Sequence, residues 1–238
     1  MRPLSLTSPL LLALLAAAVT GCAIHQDRTY VAANTLLGDG STGNSSSSGG
    51  IHNNDLDVPA DPTTENALNG KWATACVAIS SGAYIRITEE FLVNSRVHNE
   101  YQEVSTSQDC SAPFVRSRAQ GPYTFGTTPN SSLAAMGVAT VDLNFDRTYF
   151  TPLTSDQQTA YNTASKCGLT GWMAGTERDV TGLNDPANGT NPAKPCGPVK
   201  LELTLVKVSG STLVLGVLVK DGSRSLTLDG SLPFYRTQ

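Results

Sequence analysis

The feature that most constrains the fold of this chain is a period-two alternation of apolar and polar residues in its C-terminal third. The runs Val199–Val208, Thr212–Lys220 and Arg224–Leu232 alternate in this way, with the Gly-containing turns Ser209–Ser211 and Asp221–Ser223 between them. Because successive side chains of a β-strand point to opposite faces, such runs indicate half-buried strands, and short Gly turns join strands as hairpins. This part of the chain is therefore predicted to be a three-stranded antiparallel meander.

Similar patterns upstream raise the total to about eight strands. The further strands are predicted at Lys71–Ile79, Tyr84–Val93, Arg96–Val104, Gly121–Thr127 and Met136–Asp146. One helix is predicted over Thr154–Lys166, where Ser155 and Gln158 have capping-box spacing. Eight strands in mostly up-and-down order predict an all-β fold with one short helix. A closed antiparallel barrel is favoured because closure removes exposed strand edges, and a β-sandwich is the alternative.

The N-terminal segment predicts export from the cytosol. Arg2 precedes an apolar run from Leu10 to Val19, and this run is too short to span a bilayer. The sequence Val19-Thr20-Gly21-Cys22 resembles the lipobox of bacterial lipoproteins. The resemblance implies cleavage after Gly21, so that residues 1–21 are a signal peptide, and lipidation of Cys22. Ala23 follows the cysteine, which by the family's sorting rule favours the outer membrane of a Gram-negative cell, facing the periplasm or the surface.

A polar tether is predicted between the lipid anchor and the folded domain. Residues 22–66 are rich in Gly, Ser and Asp and have few large apolar side chains, so they cannot bury enough surface to offset the entropy of ordering. The domain is predicted to span residues 67–238. From residue 67 onward 14 basic residues (16 minus Arg2 and Arg28) face 14 acidic ones (20 minus six). This balance argues against a nucleic-acid partner.

Four cysteines in an exported domain predict two disulfides. Of the three possible connectivities, Cys76–Cys110 with Cys167–Cys196 is favoured, because each pair brackets one compact segment. A zinc site is the competing interpretation. It is disfavoured because the cysteines are widely spaced, without a C-x-x-C motif, and the domain has one histidine, His98. No metal and no cofactor is predicted.

The first predicted strand begins with Gly70-Lys71-Trp72. This Gly-x-Trp opening resembles the lipocalin and calycin barrels, and the resemblance implies that Trp72 closes the barrel floor while Gly70 lets the chain turn beneath it. In that superfamily a basic residue packs over the tryptophan, and Arg236 is a candidate for it, but a solvated C-terminal arginine is the favoured interpretation. The wider pattern of cysteines with "GPYTFG" and "KCGLTGW" also resembles a group of bacterial lipoproteins to which no activity is attached.

No catalytic constellation is apparent in the sequence, and the protein is not predicted to be an enzyme. No Gly-x-Ser-x-Gly elbow occurs, and His98 is interpreted as a surface residue on a strand. Glu89 and Glu90 are adjacent, so on a strand they point to opposite faces and cannot act as a carboxylate pair. A hydrolase-type enzyme therefore remains only as the least favoured of the functions considered.

A long connection, Gly168–Gly197, is the predicted functional surface. It is rich in Gly, has little alternation and is bracketed by Cys167 and Cys196, and long loops of this kind are often functional. The candidate binding residues are Trp172, Met173, Glu177, Arg178 and Asp179. The alternative is that Trp172 plugs the barrel end.

The sequence as a whole predicts a membrane-anchored envelope lipoprotein that acts as a non-catalytic interaction or structural module, with an envelope protein as a possible partner. A lipocalin-like carrier of a small apolar ligand is the alternative function.

Overall fold

The structure is a computed structural model that describes residues 63–186, 194–197, 200–217 and 223–237. Cys22, the signal peptide and the tether up to residue 62 lie outside the described residues. The strands are β1 (Gly70–Thr74), β2 (Val77–Ser80), β3 (Ala83–Leu92), β4 (Val97–Ser105), β5 (Pro113–Thr127), β6 (Ala139–Phe145), β7 (Arg147–Pro152), β8 (Arg178–Asp179), β9 (Asn184–Asp185), β10 (Lys194–Pro195), β11 (Lys200–Ser209), β12 (Thr212–Leu215) and β13 (Phe234–Arg236). The α-helices are α1 (Glu65–Leu68), α2 (Ser131–Ala135) and α3 (Ser155–Thr163).

Eight of these strands close into an antiparallel barrel. Each pairs with its neighbour in the order β1, β3, β4, β5, β6, β11, β12 and β13, and β13 pairs with β1 to complete the ring. The predicted all-β up-and-down barrel is confirmed, and the sandwich alternative does not apply. Closure leaves the ring strands without free edges along their paired lengths.

Part of the sheet continues beyond the barrel. β2 follows β1 and pairs with the first residues of β3, while β7 follows β6 and pairs with the first half of β5. β8 adds to the free side of β7. This extension forms the platform on which the long connection between β7 and β11 rests.

The last strand differs from its prediction. Arg224–Leu232 is not a continuous strand, and the barrel is closed by Phe234–Arg236, which pairs with both β12 and β1. The strand predicted over Thr212–Lys220 ends at Leu215. The alternation in Arg224–Leu232 is misleading because its side chains do not share one buried face: Leu226 is 75% exposed.

Helix α3 lies inside the predicted helical range but begins at a different cap. Thr154, not Ser155, is the N-cap, and its hydroxyl accepts a hydrogen bond from the Gln157 amide at 3.2 Å. The helix ends at Thr163, and a separate 3₁₀ turn covers Lys166–Gly168. The predicted range therefore joins two short elements.

Both predicted disulfides are present, with Cα–Cα distances of 5.7 Å for Cys76–Cys110 and 5.6 Å for Cys167–Cys196.

The folded domain begins earlier than predicted. Thr63 is buried, its hydroxyl accepts a hydrogen bond from the Val208 amide, and Thr64 caps α1. Residues 63–66 therefore belong to the folded domain rather than to the tether.

The barrel end at which β1 begins is closed by Trp72. Its side chain is fully buried, and its indole Nε1–H donates to the Leu68 carbonyl of α1 at 2.8 Å. The Arg236 guanidinium stacks over the indole, 4.1 Å from the ring centroid, and donates to the carbonyls of Ala67 and Asn69. Arg236 therefore packs over Trp72 although the residue is exposed, and the favoured expectation of a solvated arginine without this contact is wrong. Gly70 has a φ of +115°, which side-chain-bearing residues rarely adopt.

Candidate interaction site

The barrel interior decides whether the protein can be a lipocalin-like carrier, because such a carrier needs space for its ligand there. Most inward-facing side chains that the structure describes are buried, and Phe125, Lys200 and Val208 are half-buried. The buried ones are Trp72, Ile85, Ile87, Glu89, Phe91, His98, Glu100, Gln102, Val115, Ser117, Tyr123, Val141, Leu143, Phe145, Glu202, Thr204, Val206, Leu213 and Phe234. The described part of the barrel is therefore filled by its own side chains.

A charged cluster lies in the middle of this interior. His98 Nε2 is 2.6 Å from Glu89 Oε2, and the imidazole is 1% exposed between the rings of Phe91 and Phe145. The surface position expected for His98 is therefore wrong, because β4 turns this residue inward. Glu89 and Glu90 do point to opposite faces, but Glu89 finds a different partner across the sheet.

The cluster extends along the neighbouring positions. Gln102 Nε2 donates to Glu100 Oε1 at 2.7 Å, and Glu100 lies directly opposite Glu89 in the β3–β4 ladder. On β11, Lys200 pairs with Glu202, and its Nζ lies 5.3 Å from the centroid of Phe145, the ring that also contacts His98. Because each of these charged side chains lies close to a polar partner, the cluster can be accommodated in the barrel interior as an ordered part of the core. Within the described part of the chain, no group of three or more His, Cys, Asp or Glu side chains is placed to hold a metal ion.

The connection between β7 and β11, residues 153–199, is here called the insert, and its described residues form a small core of their own outside the barrel. Trp172 is buried, and its ring meets that of Tyr161 edge to face with centroids 5.1 Å apart. The Asn162 side chain bonds both the amide and the carbonyl of Trp172, at 2.8 and 3.0 Å. Trp172 is therefore an interior residue of the insert rather than a contact residue.

The residues after Trp172 form an exposed turn, Met173–Thr176, here called the tip. Met173 is 58% exposed. The turn is held from below: the Ala174 amide donates to Gln158 Oε1 and the Gly175 amide to the Pro152 carbonyl, both at 2.8 Å. The tip therefore presents a large apolar side chain on a fixed backbone, which lowers the entropy cost of binding.

Glu177 holds the insert against the sheet extension. Arg118 on β5 donates to both of its carboxylate oxygens, at 3.0 and 2.5 Å, and stacks 4.0 Å from the Tyr149 ring centroid. Arg118 also donates to the Asn99 side chain at 3.2 Å. Its hydrogen bonds to Glu177 raise the pKa of the Arg118 guanidinium, so the guanidinium stays charged. Glu177 thus fastens the insert instead of standing free for a partner.

Arg178 and Asp179 form β8. The Arg178 guanidinium lies over the Trp172 indole, 5.1 Å from the ring centroid, and donates to the Thr170 carbonyl at 2.6 Å. Asp179 is exposed, and hydrogen bonding by Thr181 lowers the pKa of its carboxyl. Of the five predicted binding residues, Met173, Glu177 and Asp179 are exposed, Arg178 is half-buried and Trp172 is buried, and Glu177 and Arg178 are held by contacts within the protein.

A buried ion pair completes the insert. Lys166 of the 3₁₀ turn pairs with Asp185 of β9, and both side chains are buried beside Phe150. The Cys167–Cys196 disulfide lies next to this pair in the chain. The sequence pattern does not predict the Lys166–Asp185 ion pair, because the two residues are 19 positions apart and neither lies on an alternating strand.

Compared with known proteins, the chain matches no family model and no curated sequence. Among the described residues, no helix combines the length and apolar character needed to cross a membrane.

Proposed function

We propose that this protein is a non-catalytic interaction module of the cell envelope, with the barrel as scaffold and the tip of the insert as its contact surface. The observation that carries the proposal is the contrast between the two parts. The described barrel interior is filled, whereas the insert displays Met173 on a backbone held by α3, by Pro152 and by the Arg118–Glu177 pair. Exposed, preordered apolar side chains are characteristic of binding hot spots.

The alternative of a carrier for a small apolar ligand receives less support. An apolar molecule inside the barrel would have to displace packed side chains and lie against Glu89, Glu100 and His98. Removing those groups from their partners would be costly, because buried polar groups need hydrogen bonds. The Trp72–Arg236 arrangement supports a calycin-like closure of the barrel but does not by itself provide room for a ligand.

The enzyme alternative also receives little support. Glu89 and His98 form a close pair, but the side chains are buried, 0% and 1% exposed. A general base must come within hydrogen-bond reach of its substrate. The pair is better explained as a structural element of the core.

Lipid anchoring is the proposed localisation, through Cys22 to a bacterial envelope membrane. A Cys22→Ser precursor should lose the lipid-dependent mass increase and leave the membrane fraction, because a single polar side chain cannot replace acyl chains worth about 0.8 kcal/mol per buried methylene. Intact mass and fractionation of cells provide the measurement, with Cys76→Ser as a control that keeps the lipobox. Membrane retention of the Cys22→Ser protein would contradict the anchor.

The contact surface is tested by photo-crosslinking in the producing cells. A photoreactive amino acid at Met173 should give an adduct with a discrete envelope protein, whereas the same residue at Leu226, 75% exposed on another surface, should not. Identical adducts from both positions, or none from Met173, would contradict the proposal. Release of a stoichiometric small molecule when the purified protein is unfolded would instead favour the carrier.

A further inference from the structure

A shallow depression of about 360 Å³ lies on the outer face of the barrel, where β5, β6 and β11 run side by side. It is lined by Pro122, Tyr123, Thr124, Asp142, Asn144 and Leu201. Small-molecule sites typically have volumes of about 300–1,000 Å³, so the depression is large enough for a compact ligand.

The backbone beside the depression is closely packed. A Cβ atom on Gly121 would lie 1.7 Å from the Asn144 carbonyl oxygen, so β5 and β6 approach each other closely at this point. Here β5 also changes partner, from β7 before Gly121 to β6 after it. Glycine at position 121, next to the lining residue Pro122, permits this close approach.

Two polar side chains of β6 point into the depression. Asp142 and Asn144 are two residues apart on the outward face, which separates them by roughly 6–7 Å. Arg224 donates to Asp142 Oδ1 and to the Thr204 carbonyl, which holds the carboxylate in place and leaves Oδ2 as an acceptor. Asn144 is exposed and offers both a donor and an acceptor, and Thr124 lies opposite Asp142 in the ladder.

Apolar groups provide the remaining wall. Leu201 is 57% exposed and lies opposite Asn144 on β11, and Pro122 is exposed at the other side. The charge of Asp142 is balanced by Arg224, so the site does not select a cation, and the carboxylate disfavours an anion. The complementary molecule is neutral, has hydroxyl groups that both donate and accept, and has an apolar C–H face.

We propose that this depression binds a saccharide, with Asp142 and Asn144 hydrogen-bonding ring hydroxyls and with Leu201 and Pro122 packing against the C–H face of the sugar. This site is separate from the tip contact and adds a second binding function to the module. Because the depression is open and shallow, the expected dissociation constant is weak, on the order of 1 mM.

The experiment is saturation-transfer NMR on the whole folded chain with methyl glycosides of glucose, galactose, mannose and N-acetylglucosamine as probes. At least one probe should receive saturation at its ring protons, and Asn144→Ala and Asp142→Asn should each weaken its binding by about tenfold. The control variant Asn94→Ala, in the exposed β3–β4 turn, should bind as the parent does. No transfer to any of the four sugars, or transfer that Asn144→Ala and Asp142→Asn leave unchanged, would overturn the proposal.

Discussion

Replacing Glu89 with glutamine should lower the free energy of unfolding by about 1.5–3 kcal/mol, because it removes the carboxylate from a buried hydrogen-bonded pair. His98, 1% exposed, would keep its Nε2 beside an amide that has one acceptor oxygen instead of two. Urea unfolding followed by circular dichroism provides the measurement. The matched control is Glu103→Gln on β4, whose carboxylate pairs with Arg116 at the outer surface and should contribute about 1 kcal/mol or less.

A double variant separates charge from packing. Glu89→Leu combined with His98→Phe replaces both partners by apolar groups and should be more stable than Glu89→Gln alone, since replacing a complete buried pair is often neutral or stabilising. If Glu89→Gln costs no more than Glu103→Gln, the cluster does not support the core in the way that its geometry indicates.

Truncation of Trp72 to alanine should lower the free energy of unfolding by about 3–5 kcal/mol, the usual cost of removing a large buried aromatic side chain. The loss removes three contacts at once: the ring packing, the 2.8 Å hydrogen bond to Leu68 and the stacking of Arg236. For a domain of this size the melting temperature should fall by roughly 6–20 °C. Thermal unfolding followed by circular dichroism provides the measurement.

The control for Trp72 is Tyr235→Ala, on the neighbouring strand β13. Tyr235 is 50% exposed and points away from the core, so its truncation should change the free energy of unfolding by about 1 kcal/mol or less. Equal losses for the two variants would mean that Trp72 does not close the barrel end.

The barrel itself was predictable because most of its strands have one apolar face. β6 places Val141, Leu143 and Phe145 inside, which is the pattern on which the prediction rested. The first half of β5 escaped prediction because its inward residues include Ser117, so the buried face does not read as apolar. β13 was missed because a strand of three residues contains too few positions to show a period.

The charged cluster in the barrel interior was not predicted, because its residues have the composition of a solvent-exposed strand face. On β4 the inward positions are occupied by His98, Glu100 and Gln102, which in sequence read as a solvent-exposed face. Only the cross-strand register brings Glu89 to His98, and no local pattern encodes it. A patterning argument assigns charged residues to the surface, and it fails where a core is built from ion pairs.

The insert was predictable as a feature of the fold, but its internal contacts were not, and its role as a binding surface stays a prediction. The cysteine bracket and the Gly-rich composition correctly mark an insert, and both disulfides are formed. Trp172 was assigned to the contact surface because aromatic residues are common at interfaces, but it packs on Tyr161. Glu177 pairs with Arg118, which is 59 residues away in sequence. Such long-range pairing decides which loop residues remain available for binding.

The contacts that hold the insert limit which substitutions can test the tip as the contact surface. Replacing all of residues 177–194 would remove Asp185 and leave the buried Lys166 without its partner, so lost binding could reflect damage to the fold. A point substitution at the tip avoids this problem, because Met173 is exposed and its side chain supports no described hydrogen bond.

The decisive measurement is the affinity of purified Met173→Asp protein for the partner identified by crosslinking, compared with the parent and with Leu226→Asp as control. A hot-spot residue contributes about 2 kcal/mol or more, so Met173→Asp should weaken binding by about 30-fold or more, with unchanged thermal unfolding. Leu226→Asp should bind as the parent does. If Met173→Asp binds as tightly as the parent, the tip is not the contact surface and the proposed function is wrong.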